Sequence, residues 1–189
     1  TALLARRSLI ISVAAGIKAA SIQNWLEIPV PIIRAMPNTP AFIGEGATGL
    51  YANSNTSSEQ KQLATAIMSA VGLCVWVESD ADIDAVTALS GSGPAYFMLL
   101  TQALISAGVN AGLNHAAATQ LALQTARGAG LLVATSDKPI ETLIENVKSP
   151  KGTTEQAINS FAASDLNGIV GQAFEAARLR ASVMAEEFS

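Results

Sequence analysis

The sequence predicts part of an α/β domain followed by an all-helical region, and three observations carry that reading. Up to about residue 78, short apolar runs rich in β-branched residues alternate with loops and one well-capped helix. Beyond Glu78 the strand signals stop, and helix start and stop signals take over. From Ala85 to Ala126 the chain carries no Asp, Glu, Lys or Arg. Residues 1–78 are therefore read as the α/β part and 79–189 as the helical part.

The elements follow in order. Leu9–Val13 is an apolar run that ends at Ala14-Ala15-Gly16 and reads as a buried strand, entered after one short helix. Arg6-Arg7 ahead of it imitates the basic start of a secretion signal, but the apolar run is too short to suit one. Pro31–Met36 is a second strand. It runs into Met36-Pro37-Asn38-Thr39-Pro40, a stiff loop because each proline also disfavours helix in the residue before it. Ala47–Ala52 is a third strand. Ser57-Ser58-Glu59 caps a helix to about Val71, Gly72 ends it, and Cys74–Glu78 alternates as a fourth strand. Glu78, Asp80, Asp82 and Asp84 then gather at a helix start, where carboxylates favour the positive end of the dipole. One helix runs to about Asn110 and stops at Gly112. Another starts at the N-cap Asn114 and reaches about Thr135. Further helices are expected over Ile140–Val147, from near Thr153, and from about Asp165 to Glu187.

Composition narrows the function. Half of the 189 residues are hydrophobic and 14% are charged, so the chain folds rather than remaining disordered. A net charge of -4 leaves no basic surplus for nucleic acid. The one cysteine, Cys74, cannot form an internal disulfide and reads as a buried strand residue, which suits a reduced, cytoplasmic setting. The one histidine, His115, leaves little room for histidine-based catalysis. Asp80, Asp82 and Asp84 fall on different faces of a helix, so no metal site is expected. Trp25 and Trp76 read as packing residues.

A helix without a charged face must be covered on all sides. Thr101, Gln102, Ser106, Asn110 and Asn114 would be costly in lipid, and no Lys/Arg clusters flank the stretch, so no membrane is expected. A second copy of the chain is the better cover. Ala95, Ala103, Ala107, Gly108 and Ala111 would let helices approach closely in a homodimer.

Three segments could carry chemistry. Ser90-Gly91-Ser92-Gly93-Pro94 places glycines and a proline in a helical stretch, which calls for either close packing or a ligand. Asn146 to Gln156 ends one helix, turns at Ser149-Pro150 and starts another at Thr153 or Thr154. A helix N-terminus with hydroxyls on Ser149, Thr153 and Thr154, and with Gly152 allowing close approach, can hold a carboxylate or phosphate. The plainer alternative is ordinary capping, because Thr153 and Gln156 have capping-box spacing. The Met36–Pro40 loop is either a ligand loop beyond a strand's carboxyl end or a rigid connector.

Four motifs stand in one order: Ser12-Val13-Ala14-Ala15-Gly16, R-A-M-P-N-T-P at 34–40, D-A-V-T-A-L-S-G-S-G-P-A-Y at 84–96, and N-V-K-S-P-K-G-T-T at 146–154. With these the chain resembles, over essentially its whole length, the pyrroline-5-carboxylate reductases. The resemblance implies that residues 1–78 are the C-terminal part of a Rossmann dinucleotide-binding domain. It implies that residues 79–189 are a helical dimerisation and substrate-binding domain. It further implies NADPH (or NADH) as cofactor, and reduction of the C=N bond of 1-pyrroline-5-carboxylate to give L-proline. The implied assembly is a homodimer, or a higher oligomer built from it.

Carried over by position, the resemblance places the substrate carboxylate at Ser149, Gly152, Thr153 and Thr154, and a hydroxyl near the ring nitrogen at Thr87. Asn38 and Thr39 would lie near the nicotinamide, with Asp80 and Asn146 near the cofactor. A lone threonine is a poor acid at neutral pH, so the imine proton is expected from solvent or from a substrate already protonated.

Two departures bear on this. The glycine-rich pyrophosphate fingerprint does not occur in these residues, and the family would place roughly 90–100 further residues ahead of Thr1, so the chain is expected to be incomplete for activity. Lys151 stands where the family commonly has glycine, which weakens any claim that the turn needs a left-handed residue at that position. Two other readings stay in view. One is a helical dimerisation fragment without catalysis. The other is a related hydroxy-acid dehydrogenase, which would need a catalytic lysine that the uncharged helices do not carry.

Overall fold

The computed structural model describes residues 8–188. The helix expected ahead of the first strand, with Arg6-Arg7, lies outside them. The chain packs as two compact units: one holds the residues up to Pro94 together with those from Gln172 onward, the other Ala95–Gly171.

The first unit is built on a four-stranded sheet in the order β1 (Ile10–Ser12), β2 (Ile32–Met36), β3 (Gly46–Ala52), β4 (Gly72–Trp76). β1 and β2 are parallel, with Ile10 opposite Ile32, and the helix α1 (Ala19–Leu26) lies between them in sequence. β2 and β3 are antiparallel, with Met36 opposite Gly49. β3 and β4 are again parallel, with the helix α2 (Ser58–Met68) between them. Two strand–helix–strand units thus meet along an antiparallel seam.

β2 is buried on both faces, as a central strand covered on both sides requires, while edge strand β4 leaves Leu73 and Val75 exposed. Ile33, Ala35 and Leu50 pack with Ala64 of α2, together with Ile11, Trp76 and a half-buried Cys74. Ile32 and Val30 pack with Ala19 of α1, together with Ile10, Ile22 and Tyr51. Successive residues Ile32 and Ile33 therefore serve opposite faces, the period of two expected of a strand.

α2 begins as the sequence predicts. Ser57 Oγ accepts from the Gln60 N–H at 3.3 Å, and Gln60 Oε1 accepts from the Ser57 N–H at 2.9 Å, a reciprocal capping box. α1 has no counterpart among the elements expected from the sequence. Its N-cap is Lys18, whose side chain caps nothing; Asp80 Oδ2 accepts the Ala19 N–H at 2.8 Å instead. A cap supplied from 61 positions away leaves no local signal. Two smaller expectations also change. Gly72 opens β4 rather than merely ending α2, and Trp25 is largely exposed while Trp76 packs and donates to Thr65 Oγ1 at 3.0 Å.

The helix expected after the acidic cluster is broken in two. α3 covers Asp82–Val86, a π turn covers Thr87–Gly91, and α4 runs Gly93–Asn110. The π turn is closed by the Ser92 N–H donating to the Thr87 carbonyl at 2.8 Å. Pro94 sits in the first turn of α4, where its missing N–H costs nothing.

The boundary between the units falls within α4 and again within α8 (Leu166–Glu187). Between them lie α5 (His115–Thr135), α6 (Ile140–Val147) and α7 (Thr153–Ala163). Gly112, at a left-handed φ of 102°, ends α4, and Asn114 Oδ1 caps α5 by accepting from the Ala117 N–H at 2.9 Å. At Gly108 an added Cβ would sit 3.4 Å from that of Ala118, so this glycine lets the α4–α5 hairpin close. Much of the hairpin's apolar surface remains bare, Phe97 being 76% and Leu121 60% exposed. No helix among the described residues is long and apolar enough to cross a membrane.

Candidate functional site

In the first unit the candidate residues gather where β2 ends. Asn38 holds the loop after β2 with both ends of its amide: Nδ2 donates to the Ser90 carbonyl at 3.0 Å, and Oδ1 accepts from the Ala47 N–H at 2.9 Å. The loop then enters a 3-10 turn over Thr39–Ile43, leaving Thr39 exposed and Phe42 92% exposed. Asn38 thereby joins this loop to the π turn that starts at Thr87.

The glycine-rich stretch there follows the packing alternative. An added Cβ on Gly91 would come within 2.8 Å of Met36 Cε, at the end of β2 rather than on another helix. On the sheet side, Gly49 of β3 leaves room for Val86, whose Cγ1 a Cβ would meet at 2.6 Å. These two close approaches set α3 and the π turn directly on the sheet.

Thr87 is half-buried, and its hydroxyl donates to the Ile83 carbonyl at 2.7 Å. A carbonyl can only accept, so the hydroxyl proton is committed and the oxygen's remaining lone pairs are acceptors. The π turn that follows is a distortion common at functional positions.

Asp80 spends both carboxylate oxygens within the unit. Oδ1 accepts from Arg34 Nη1 at 2.5 Å and Oδ2 from the Ala19 N–H at 2.8 Å. Arg34 is 2% exposed, and its Nε is buried with no hydrogen-bond partner among the described residues. Asp84 is buried too, and burial pushes its carboxyl above the usual range. The Arg34, Lys18 and Arg178 cations oppose that rise, and the Asp80 charge adds to it. In the sequence Arg34 stands within a motif but receives no role. A signal is present there, because an arginine at the centre of an otherwise apolar strand demands a buried counter-charge. Asp82, at the exposed rim, instead caps locally with Ser79: Oδ2 accepts from the Ser79 N–H at 2.8 Å, and the Ser79 hydrogen bonds hold its carboxyl below the usual range. Among the described residues no cluster of side chains has a metal-binding arrangement.

In the second unit Asn146 lies on the exposed last turn of α6, and Ser149, Gly152, Thr153 and Thr154 form the approach to α7. The capping box considered for Thr153 and Gln156 is not formed. The N-cap is Gly152, which has no side chain to cap with, and Thr153 is the first helical residue. The first-turn N–H groups of α7 are left without a side-chain cap, the arrangement that receives an anion. The turn ahead is tight. The Gly152 N–H donates to the Ser149 carbonyl at 2.8 Å, and an added Cβ on Gly152 would lie 2.1 Å from Ser149 Oγ. Any side chain at 152 would displace the Ser149 hydroxyl.

Lys151 has a φ of 59°, so the turn does take a left-handed residue at this position although the residue there is not glycine. Holding a non-glycine residue there costs about 1–2 kcal/mol. The Lys151 N–H donates to Glu155 Oε2 at 2.8 Å, which secures the turn from the helix side. Lys148 pairs with Glu145 at 2.8 Å on the exposed face of α6, a contact of little energetic consequence.

Residues 80–184 match the family model for pyrroline-5-carboxylate reductase dimerisation. The chain is 49% identical over 179 residues to a pyrroline-5-carboxylate reductase of Pseudomonas aeruginosa, covering 95% of this chain and 66% of that protein. It is 39% identical over 183 residues to the Pasteurella multocida enzyme of the same name, again covering 66% of it. Among solved structures, a pyrroline-5-carboxylate reductase from Coxiella burnetii superposes with a TM-score of 0.91 at 42% identity, over 95% of this chain and 66% of that one. The Plasmodium falciparum pyrroline carboxylate reductase with NADP bound gives 0.86 at 33% identity, over 94% of this chain and 68% of that one. The chain thus spans about two thirds of the length of these relatives. A sheet of this order, a helical region matched over 105 of the 189 positions (80 to 184 inclusive), and near-half identity to a named relative place the chain in the pyrroline-5-carboxylate reductase family.

Proposed function

We propose that the protein containing this chain reduces 1-pyrroline-5-carboxylate to L-proline with NADPH or NADH, as a cytoplasmic homodimer. Residues 1–78 are read as the end of its dinucleotide-binding domain and 79–189 as its dimerisation and substrate-binding domain. The observation that carries this reading is the uncapped start of α7. It leaves backbone N–H groups uncapped in a segment that also carries the Ser149, Thr153 and Thr154 hydroxyls, which we assign to one carboxylate, and the segment contains no histidine.

The residues present fit a dinucleotide at the sheet's edge. Small residues of the loop after β1, Ala14 exposed among them, and the loop of Asn38 and Thr39 lie beyond the carboxyl ends of two parallel strands, where such ligands bind. Asp80 serves that edge by holding the start of α1, and Asn146 is assigned to the cofactor by position alone. When bound, the dinucleotide supplies the hydride that the imine carbon receives.

The chain's own part is to bind and orient. The α7 N-terminus holds the carboxylate, and its dipole favours the negative charge. Thr87 Oγ1, with its O–H donated to the Ile83 carbonyl, keeps lone pairs that can accept an N–H. That suits a substrate nitrogen that is already protonated and gains no proton from the protein. Thr87 thus orients the ring rather than acting as an acid.

NADPH oxidation in the presence of 1-pyrroline-5-carboxylate tests the reading. The longer protein should turn over, and this chain alone should dimerise without doing so, because it lacks the glycine-rich pyrophosphate loop. A folded longer protein that oxidises no NADPH with this substrate would refute the reading.

A further inference from the structure

We propose that Arg34 is a positioning residue for the reduction: its buried guanidinium ties the linker before α3 to the sheet and so fixes where Thr87 and the Asn38 loop stand. The proposal rests on the reductase reading and adds to it a residue that touches neither substrate nor cofactor.

Four observations support it. Arg34 occupies the middle of β2, between Ile33 and Ala35, and is 2% exposed. One nitrogen, Nη1, grips the linker twice, donating to Asp80 Oδ1 at 2.5 Å and to the Asp80 carbonyl at 3.3 Å. The same Asp80 carboxylate anchors the first N–H of α1, so three segments meet at one ion pair. Asp84, buried beside the cluster and within the field of Arg34, lies one helical turn before Thr87.

Stability alone does not account for this arrangement. Desolvating a guanidinium and a carboxylate costs several kcal/mol per ion, and well-packed apolar replacements of buried pairs are often neutral or stabilising. An aliphatic residue would continue the Ile32-Ile33 run without leaving Arg34 Nε buried and unpaired. What an aliphatic residue cannot do is bind the Glu78–Ala81 linker in one register. Four residues after Arg34, in the loop beyond β2, Asn38 makes the second tie, to the Ser90 carbonyl in the π turn. With Arg34 at one end of the α3–π-turn segment and Asn38 at the other, Thr87 is held between two fixed points on the same strand and its loop. A shift of about 1 Å at a reacting group can cost on the order of a hundredfold in rate.

The test uses the longer, active protein with Arg34→Met and Arg34→Lys. Arg34→Met should lower kcat by about tenfold or more at saturating cofactor, with the Michaelis constant for 1-pyrroline-5-carboxylate within about twofold, because the carboxylate is gripped elsewhere. Arg34→Lys keeps the charge and should restore most of kcat. Should Arg34→Met fail to fold, Arg34→Lys still decides, because the lysine side chain ends one bond short of Arg34 Nη1, so its ammonium must draw the Asp80 linker out of place and leave a measurable kcat deficit at an unchanged Michaelis constant. Unchanged kcat in a folded Arg34→Met protein, or in Arg34→Lys when that is the variant that folds, would overturn the proposal even if the melting temperature fell. An inactive wild-type protein would overturn the reductase reading, and the proposal with it.

Discussion

Asp84 shows how one buried carboxylate shapes both stability and site. Burial raises its folded pKa above the unfolded value, more than the Arg34, Lys18 and Arg178 cations lower it, while the neighbouring Asp80 charge adds to the rise. For a raised pKa the favourable contribution is complete below the unfolded value and is lost as pH climbs through the folded one. The charged form is thus a burden at neutral pH. Asp84→Asn should melt higher than the parent at pH ~7, and the difference should shrink as pH falls toward ~4. Thermal melts of both proteins across that range check it, and a difference that grows toward acid would contradict the assignment. At this scale the sequence is informative where a residue acts locally. Asn114 and Ser57 are caps with their signals beside them. It marks Arg34 as needing a counter-charge but does not say that Asp80, 46 positions away, supplies it, because ion pairs between distant segments leave no spacing to read.

Among the elements, the start of α7 carries the most consequence. The serine–proline turn and the boundary at Thr153 are legible in the sequence. The choice between capping box and open N-terminus is not, because Thr153 has the right spacing for a cap and sits one residue too far in to make one. Lys151 misleads for a related reason: a side chain advertises a preference, while the turn between α6 and α7 dictates the φ. Lys151→Gly should therefore stabilise the protein by about 1 kcal/mol by relieving the left-handed backbone. A lower melting temperature for that variant would mean that the lysine side chain contributes more than its backbone costs. α1 escapes sequence reading because its cap comes from Asp80, and the break at Thr87–Gly91 escapes it because a π turn has no period of its own to detect. The strands and the five helices of the chain's second half follow the predicted order, since their periodicity and punctuation are both strong.

For the molecule as a whole, the nearly uncharged hairpin of α4 and α5, in which Arg127 is the one Asp, Glu, Lys or Arg, is the dominant fact. Leucines, a phenylalanine and a methionine stand more than half exposed along it, an apolar exposure that marks an interaction surface, and the matched family region is a dimerisation region. The chain should sediment as a dimer, and Phe97→Glu combined with Leu121→Glu should give monomers; a monomeric parent would contradict the proposed assembly. This surface is legible in the amino-acid sequence itself, through the absence of charge from Ala85 to Ala126.

That α7 receives the substrate's carboxylate is the central claim, and steady-state kinetics of Thr154→Val in the longer protein tests it most directly. Losing one hydrogen bond to a charged group should raise the Michaelis constant for 1-pyrroline-5-carboxylate by about tenfold, with kcat nearly kept. A Michaelis constant equal to that of the parent would show that the carboxylate is held elsewhere.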